Sequence, residues 1–223
     1  MLKDISIIPL LVKEQSGNQE EIMRMLQIIA HECGHIHVDF LLHSIFKTIP
    51  TIKDYESHYE QIVYETSMAG WSEFSACFFS ANIGENPEQS FREIVIEKLE
   101  TIVDELNFAK GLSDKPFDMM MIIFRNIGNL IKYSNYYLGW MFNDEFNKNL
   151  EETALYKHIE HSWFLEFFIK LESIYKRILS NISSDNPKFD EILNIGQLSI
   201  EISKHFDFEI SVNDDHSTYI YAN

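Results

Sequence analysis

The sequence predicts a mainly α (α+β) protein with a small β-sheet or hairpin and a C-terminal helical bundle. Three observations predict it. Glycine and proline number only 8 and 5 in 223 residues, too few turn formers for a strand-rich chain. Apolar residues recur near helical spacing through long segments, as at Ile94, Ile96, Leu99, Ile102, Val103 and Leu106. Apolar-polar alternation marks residues 206–212 and 218–221, which flank a turn-like run, Asn-Asp-Asp-His-Ser, and read as a β-hairpin.

Residues 5–12 (Ile-Ser-Ile-Ile-Pro-Leu-Leu-Val) are short and β-branched and read as a strand, with Pro9 placing it at an edge or a bulge. Asn18 is a suitable N-cap, and Glu20 and Glu21 suit the first turn of a helix over 19–46. Pro50 closes that region, and Thr51 can cap the next helix. A helix is expected over 55–83, with Gly70 as a place where it could break, and residues 84–87 form a stop signal. Helices are then expected over 91–109 and 117–142, a single long amphipathic helix over 150–182, and one or two shorter ones over 189–206. The N-terminal strand is a candidate partner for the hairpin, in a small sheet beside the first helix. The stop at 84–87 divides the chain into a core of residues 1–84 and a mostly helical region of residues 85–223 ending in the hairpin, the two free to pack as one domain.

Composition narrows the function. The chain is 45% hydrophobic and 13% aromatic, enough to bury a substantial core. Its 35 acidic residues against 18 basic give a net charge of −17, which argues against direct nucleic-acid binding, because that rests on Lys and Arg neutralising phosphates. Such a surface favours solubility, and the acidic helical region could attract a basic protein partner. The two cysteines, Cys33 and Cys77, make no disulfide framework and read as small buried hydrophobes, with a redox-sensitive thiol as the minor alternative. No apolar run reaches membrane-spanning length: residues 119–130 are interrupted by Arg125 and Asn126, and 163–168 by Glu166. The N-terminus has no leader-like pattern, so the expected location is cytoplasmic, with no membrane association.

The chemistry concentrates in Ala30-His31-Glu32-Cys33-Gly34-His35, an H-E-x-x-H motif. On a helix, residues four apart share a face, so His31 and His35 can offer two imidazoles to one metal ion, with Glu32 one position round as a general base. Residues 27–30 and 38–42 are largely apolar, so the helix is expected to be buried. Catalytic zinc takes three protein ligands, and the third should come from another helix. Glu73 is the lone carboxylate in the apolar, small-residue run Gly-Trp-Ser-Glu-Phe-Ser-Ala-Cys-Phe-Phe-Ser-Ala of residues 70–81. A carboxylate in such a run needs a partner, and a metal would be one. His37 and His43 are expected at the surface or behind the ligands. Tyr136, Tyr137, His158 and His161 are candidate oxyanion stabilisers, each more simply explained by packing or exposure.

His31-Glu-Cys-Gly-His35 followed by Glu73-Phe-Ser-Ala76-Cys-Phe-Phe79-Ser resembles the gluzincin zinc metallopeptidases, and most of all the ImmA/IrrE-type family. There H-E-x-x-H is followed by a helix reading E-x-x-A-n-x-F-A. The resemblance spans residues 20 to 82. It implies zincin-like active-site helices, Zn2+ held by His31, His35 and Glu73, Glu32 as catalytic base, and a protein or peptide substrate such as a repressor. The chain departs from the pattern in a long His35-to-Glu73 spacing, in having few residues for upstream strands, and in lacking the Leu-Met-Pro-like ending of the second motif; it also carries Cys77 where the similar E-x-x-A-D peptidases have Asp. The function expected is hydrolysis of a peptide bond in a protein substrate, possible targets being regulatory proteins. The alternatives are a non-catalytic regulatory or interaction module with a structural or relic zinc site, and a helical bundle without metal.

Overall fold

Three helices position the site, and their order explains why it forms. In the computed structural model, which describes residues 19–112, 114–143 and 148–222, the chain is mostly helical with one two-stranded antiparallel sheet. The helices are α1 (Gln19–Ile45), α2 (His58–Ser80), α3 (Glu88–Lys110), α4 (Pro116–Phe142), α5 (Ala154–Ile159), α6 (Leu165–Ile182) and α7 (Asp190–His205). The strands are β1 (Phe208–Val212) and β2 (Thr218–Ala222).

α2 is central and packs against α1, α4 and α7, while α3 backs α4 and α6 backs α7. Its start is set by a capping box: Ser57 Oγ accepts from Glu60 N at 3.2 Å, and Glu60 Oε2 accepts from Ser57 N at 3.2 Å. It then runs unbroken through Gly70. The break that a glycine could allow does not occur, and Gly70 is a packing residue: a Cβ there would lie 2.6 Å from Asn135 Nδ2 and 2.8 Å from Ile195 Cγ2. Gly139 plays the same part on α4, since its Cβ would meet Phe74 O at 2.3 Å. Asn143 Nδ2 donates to Phe78 O at 2.6 Å. Residues 70, 74 and 78 thus pass 135, 139 and 143 in the same order, so α2 and α4 run parallel. α1 runs antiparallel to α2: Gly34 sits on Ala76, and the α2–α3 turn at Gly84, with φ +86°, closes on Met23 and Gln27.

One hydrophobic core runs from Val38 on α1 to Ile220 on β2. Its largest fully buried side chains include Trp140, Tyr137, Tyr175, Phe74, Phe164 and Phe168. Phe74 stacks on Tyr175 with centroids 3.8 Å apart, and Tyr175 donates to Gly70 O at 3.1 Å. α3 buries Val95, Ile102, Leu106 and Ala109, and Val103 is left exposed. Lys98, also buried, satisfies its charge on Glu105 and donates to Asn126 Oδ1 at 2.6 Å.

Two expectations are corrected. The single helix over 150–182 is a short 3-10 turn (Leu150–Glu152), α5 and α6. Thr153 caps α5 by accepting from Tyr156 N, and the chain turns again at Ser162, which donates to Ile159 O from both its backbone and its hydroxyl. α1 is not a fully buried helix: Gly34, Val38 and Leu42 are buried, while Ile28, Ile36 and Phe40 are 50%, 65% and 71% exposed. Its apolar residues fall on two opposite faces, and among the described residues only one is packed, against α2. Of the one or two helices expected over residues 189–206, the structure has one.

The hairpin is present, with Phe208 opposite Ala222 and Ile210 opposite Ile220. It packs on α7 and α4, and Thr218 Oγ1 accepts from Tyr59 N at the start of α2. The strand expected over residues 5–12 and the Asn18 cap lie outside the described residues.

Candidate metal centre

His31 and His35 are on one face of α1, one turn apart, and α2 brings Glu73 across to meet them. The close approach is made by small residues. A Cβ on Gly34 would lie 2.8 Å from Ala76 Cα, so only glycine lets the two backbones come this near. The non-ligand positions of the two motifs, Gly34 and Ala76, therefore bring the two helices together. His31 Nε2 lies 3.3 Å and His35 Nε2 3.4 Å from Glu73 Oε2, and the two imidazole nitrogens are 3.1 Å apart.

Those separations provide a fit test for a metal. Ligand atoms about 2.0–2.2 Å from a tetrahedral zinc must be about 3.3–3.6 Å from each other. The three observed distances match that spacing to within about 0.2 Å. Glu73 Oε2 is buried and makes no well-formed hydrogen bond, leaving a carboxylate oxygen free to ligate. The nitrogens behind the ligand atoms are also engaged. His35 Nδ1 is 2.8 Å from Ser72 Oγ, and His31 Nδ1 is 3.5 Å from Cys77 Sγ. A ring that donates through Nδ1 presents its Nε2 lone pair towards the cluster. Glu32 is exposed at the margin, with its ligand oxygen within 4.8 Å of those of both histidines. A His31–Glu32–His35 grouping is thus open as well, but the Glu73 grouping is the tighter and the more buried. The donor set fits zinc.

Charge at the site is more balanced than the motifs alone suggest. Lys132 on α4 places its ammonium 2.9 Å from Glu73 Oε1. Burial by itself would raise the Glu73 carboxyl, but the near contact with His31 and the hydrogen bond and charge of Lys132 outweigh it and hold the group at about 2. Burial likewise opposes the Lys132 charge, and its bonds to Glu73 and Tyr136 win, raising it above the ordinary lysine range. Tyr136 is pushed up to about 12, first by burial and then by the Glu73 charge, so it is a protonated phenol at neutral pH. Its ring meets the His31 ring edge-on at 5.8 Å. Cys77 is raised by burial and by Glu73, which keeps it a thiol.

The structure separates the other sequence candidates. Of the four proposed oxyanion groups, Tyr136 is at the site. Tyr137 is fully buried in the core, and His158 and His161 are exposed on and just after α5. His37 lies exposed with its ring against Phe79 at 4.8 Å, and His43 bonds back to Asp39 O, as surface residues do. Cys77 is buried as expected, whereas Cys33 is exposed, because it falls on the uncovered face of α1. Sequence reasoning did not find Ser72 or Lys132. Lys132 had a signal: it is the single charged residue between Ile127 and Phe142, the same property that singles out Glu73.

Compared with known protein families, with curated proteins and with solved structures, the chain matches none. No described helix is long and apolar enough to cross a membrane.

Proposed function

We propose that this chain is a zinc-dependent metallopeptidase that hydrolyses a peptide bond in a protein or peptide substrate, with His31, His35 and Glu73 as ligands. One observation carries the reading: three potential ligand atoms, drawn from two helices, converge at 3.1–3.4 Å beside the exposed carboxylate of Glu32. A zinc ion held there supplies Lewis acidity, which acidifies water and polarises a carbonyl. Glu32, at the solvent side, takes the proton from the attacking water and passes it to the departing amine. Ser72 and Cys77 hold the two imidazoles in register. The Tyr136 phenol and the Lys132 ammonium are donors on the α4 side, suited to the negative charge that develops on the carbonyl oxygen. A regulatory protein such as a repressor is the substrate class the ImmA/IrrE-like resemblance implies.

The test is metal content of purified protein by elemental analysis, with Glu73→Ala alongside, followed by a cleavage assay with Glu32→Gln. About one zinc per chain, lost in Glu73→Ala, with hydrolysis lost in Glu32→Gln, is the expected outcome. Cleavage retained in Glu32→Gln removes the mechanism.

Lys132 favours a second reading. Its ion pair already neutralises Glu73, so the cluster can stand as a charge-balanced structural element in a non-catalytic module. Zinc binding without any Glu32-dependent cleavage would select it.

A further inference from the structure

The faces of α2 and α4 that carry Glu73 and Lys132 continue beyond the site. On α2 the i, i+3, i+4 series that ends at Glu73 runs back through Ala69, Glu65, Ile62 and His58. On α4 the series that ends at Lys132 runs back through Gly128, Arg125, Met121 and Phe117. Because the helices are parallel, the two series flank one groove. At its far end is a cavity of about 350 Å³ whose apolar wall is Ile62, Phe117, Met120, Met121 and Phe124. That volume lies in the range of small-ligand pockets, about 300–1,000 Å³. Phe117 and Met121 are 66% and 54% exposed, large apolar side chains left open to water.

Between this cavity and the metal centre both helices carry their smallest side chains. Ala69 is exposed, and a Cβ on Gly128 would meet nothing within 4 Å. The way is open. From Glu65 to Glu73 is about 12 Å along the helix axis at roughly 1.5 Å per residue. An extended peptide covers that in three to four residues at about 3.3 Å each.

We propose that the α2–α4 groove binds an extended peptide and that the cavity at Phe117, Met120, Met121 and Phe124 receives one bulky apolar side chain, three to four residues from the bond at the metal centre. This rests on the peptidase reading for the position of the cut, and on the groove alone for the binding. Unbranched methionines and a planar ring adapt to Phe, Leu or Met alike, so the pocket selects size and apolarity rather than one residue. Glu65 and Arg125 at the rim offer one carboxylate and one guanidinium to the passing peptide backbone.

The experiment uses the full-length Glu32→Gln chain with 13C-methyl methionine and two dodecapeptides built from Gly, Ser and Ala, one bearing a single central Phe and the other Ala. The expected result is a saturable shift of the Met120 and Met121 methyl signals with the Phe peptide alone, at least tenfold weaker in Met121→Glu, whose exposed position tolerates the charge. Equal response to both peptides, no response, or binding unaffected by Met121→Glu overturns the proposal. Shifts that grow with protein concentration before any peptide is added assign the face to a second copy of the chain and also overturn it. With the wild-type protein, mass spectrometry of the cleaved Phe peptide should place the cut three to four residues from Phe, and Gly128→Trp should reduce that cleavage at least tenfold at unchanged zinc content. A cut at any other distance, or indifference to Gly128→Trp, overturns the groove assignment. Binding at the methionines without cleavage by the wild type refutes the peptidase reading and leaves the peptide groove standing.

Discussion

α1 and α4 are both 27 residues long and are held in opposite ways. α1 buries three residues, Gly34, Val38 and Leu42, whereas α4 buries thirteen, from Met119 to Met141. The helix that carries H-E-x-x-H is thus anchored by one apolar stripe, the glycine contacts at Gly34 and Gly84, and the polar cluster itself. The helix that carries Lys132 is locked by the core. Fold stability and site geometry therefore depend on different residues, and substitutions in one region should spare the other.

The largest effect expected is at the site alone. Glu73→Ala should reduce zinc from about one per chain to nearly none, because two neutral imidazoles rarely hold a catalytic zinc without a third ligand. Far-UV circular dichroism should stay helical. Retained zinc would mean that Glu32 completes the set instead. Next comes the reverse case. Phe168 is fully buried, and Phe168→Ala should lower unfolding free energy by about 3–5 kcal/mol, while the folded fraction keeps its zinc. Zinc loss in proportion would show that core and site are coupled after all.

Gly34→Val sharpens the comparison, since it acts where the two regions touch. Its Cβ would start 2.8 Å from Ala76 Cα, so α1 must move. Strain of about 1–3 kcal/mol and loss of most zinc are expected, readable by denaturant titration and elemental analysis. Ser72→Ala removes the 2.8 Å partner of His35 Nδ1 and should weaken zinc by about 10- to 100-fold in a chelator competition. The smallest effect is acid dependence of the metal-free protein. The Glu73 carboxyl is lowered from 4.5 to about 2, so its contribution to stability is complete above about 4.5 and fades as pH falls towards 2. Denaturant titrations from pH 5 to 2 should show that slope in the wild type and a shallower one in Glu73→Gln.

What the sequence determined by itself was local. The fourfold spacing of His31 and His35 places both rings on one helical face wherever the helix packs, and the alternation near the C-terminus specifies a hairpin, because both arise from backbone periodicity. Helix ends were legible where a chain break had a chemical cause, as at Pro50 and residues 84–87. The tertiary structure decided everything that depends on which surfaces meet. Glu73 stood out as a lone carboxylate, but its meeting with the histidines comes from Gly34 lying on Ala76, a contact invisible to any single helix. Lys132 reaches the cluster only because α4 runs parallel to α2. The outer apolar face of α1 and the turn at Ser162 misled for the same reason: periodicity records that a residue is apolar, while packing decides which apolar faces are covered and where a long amphipathic run must bend to cover them.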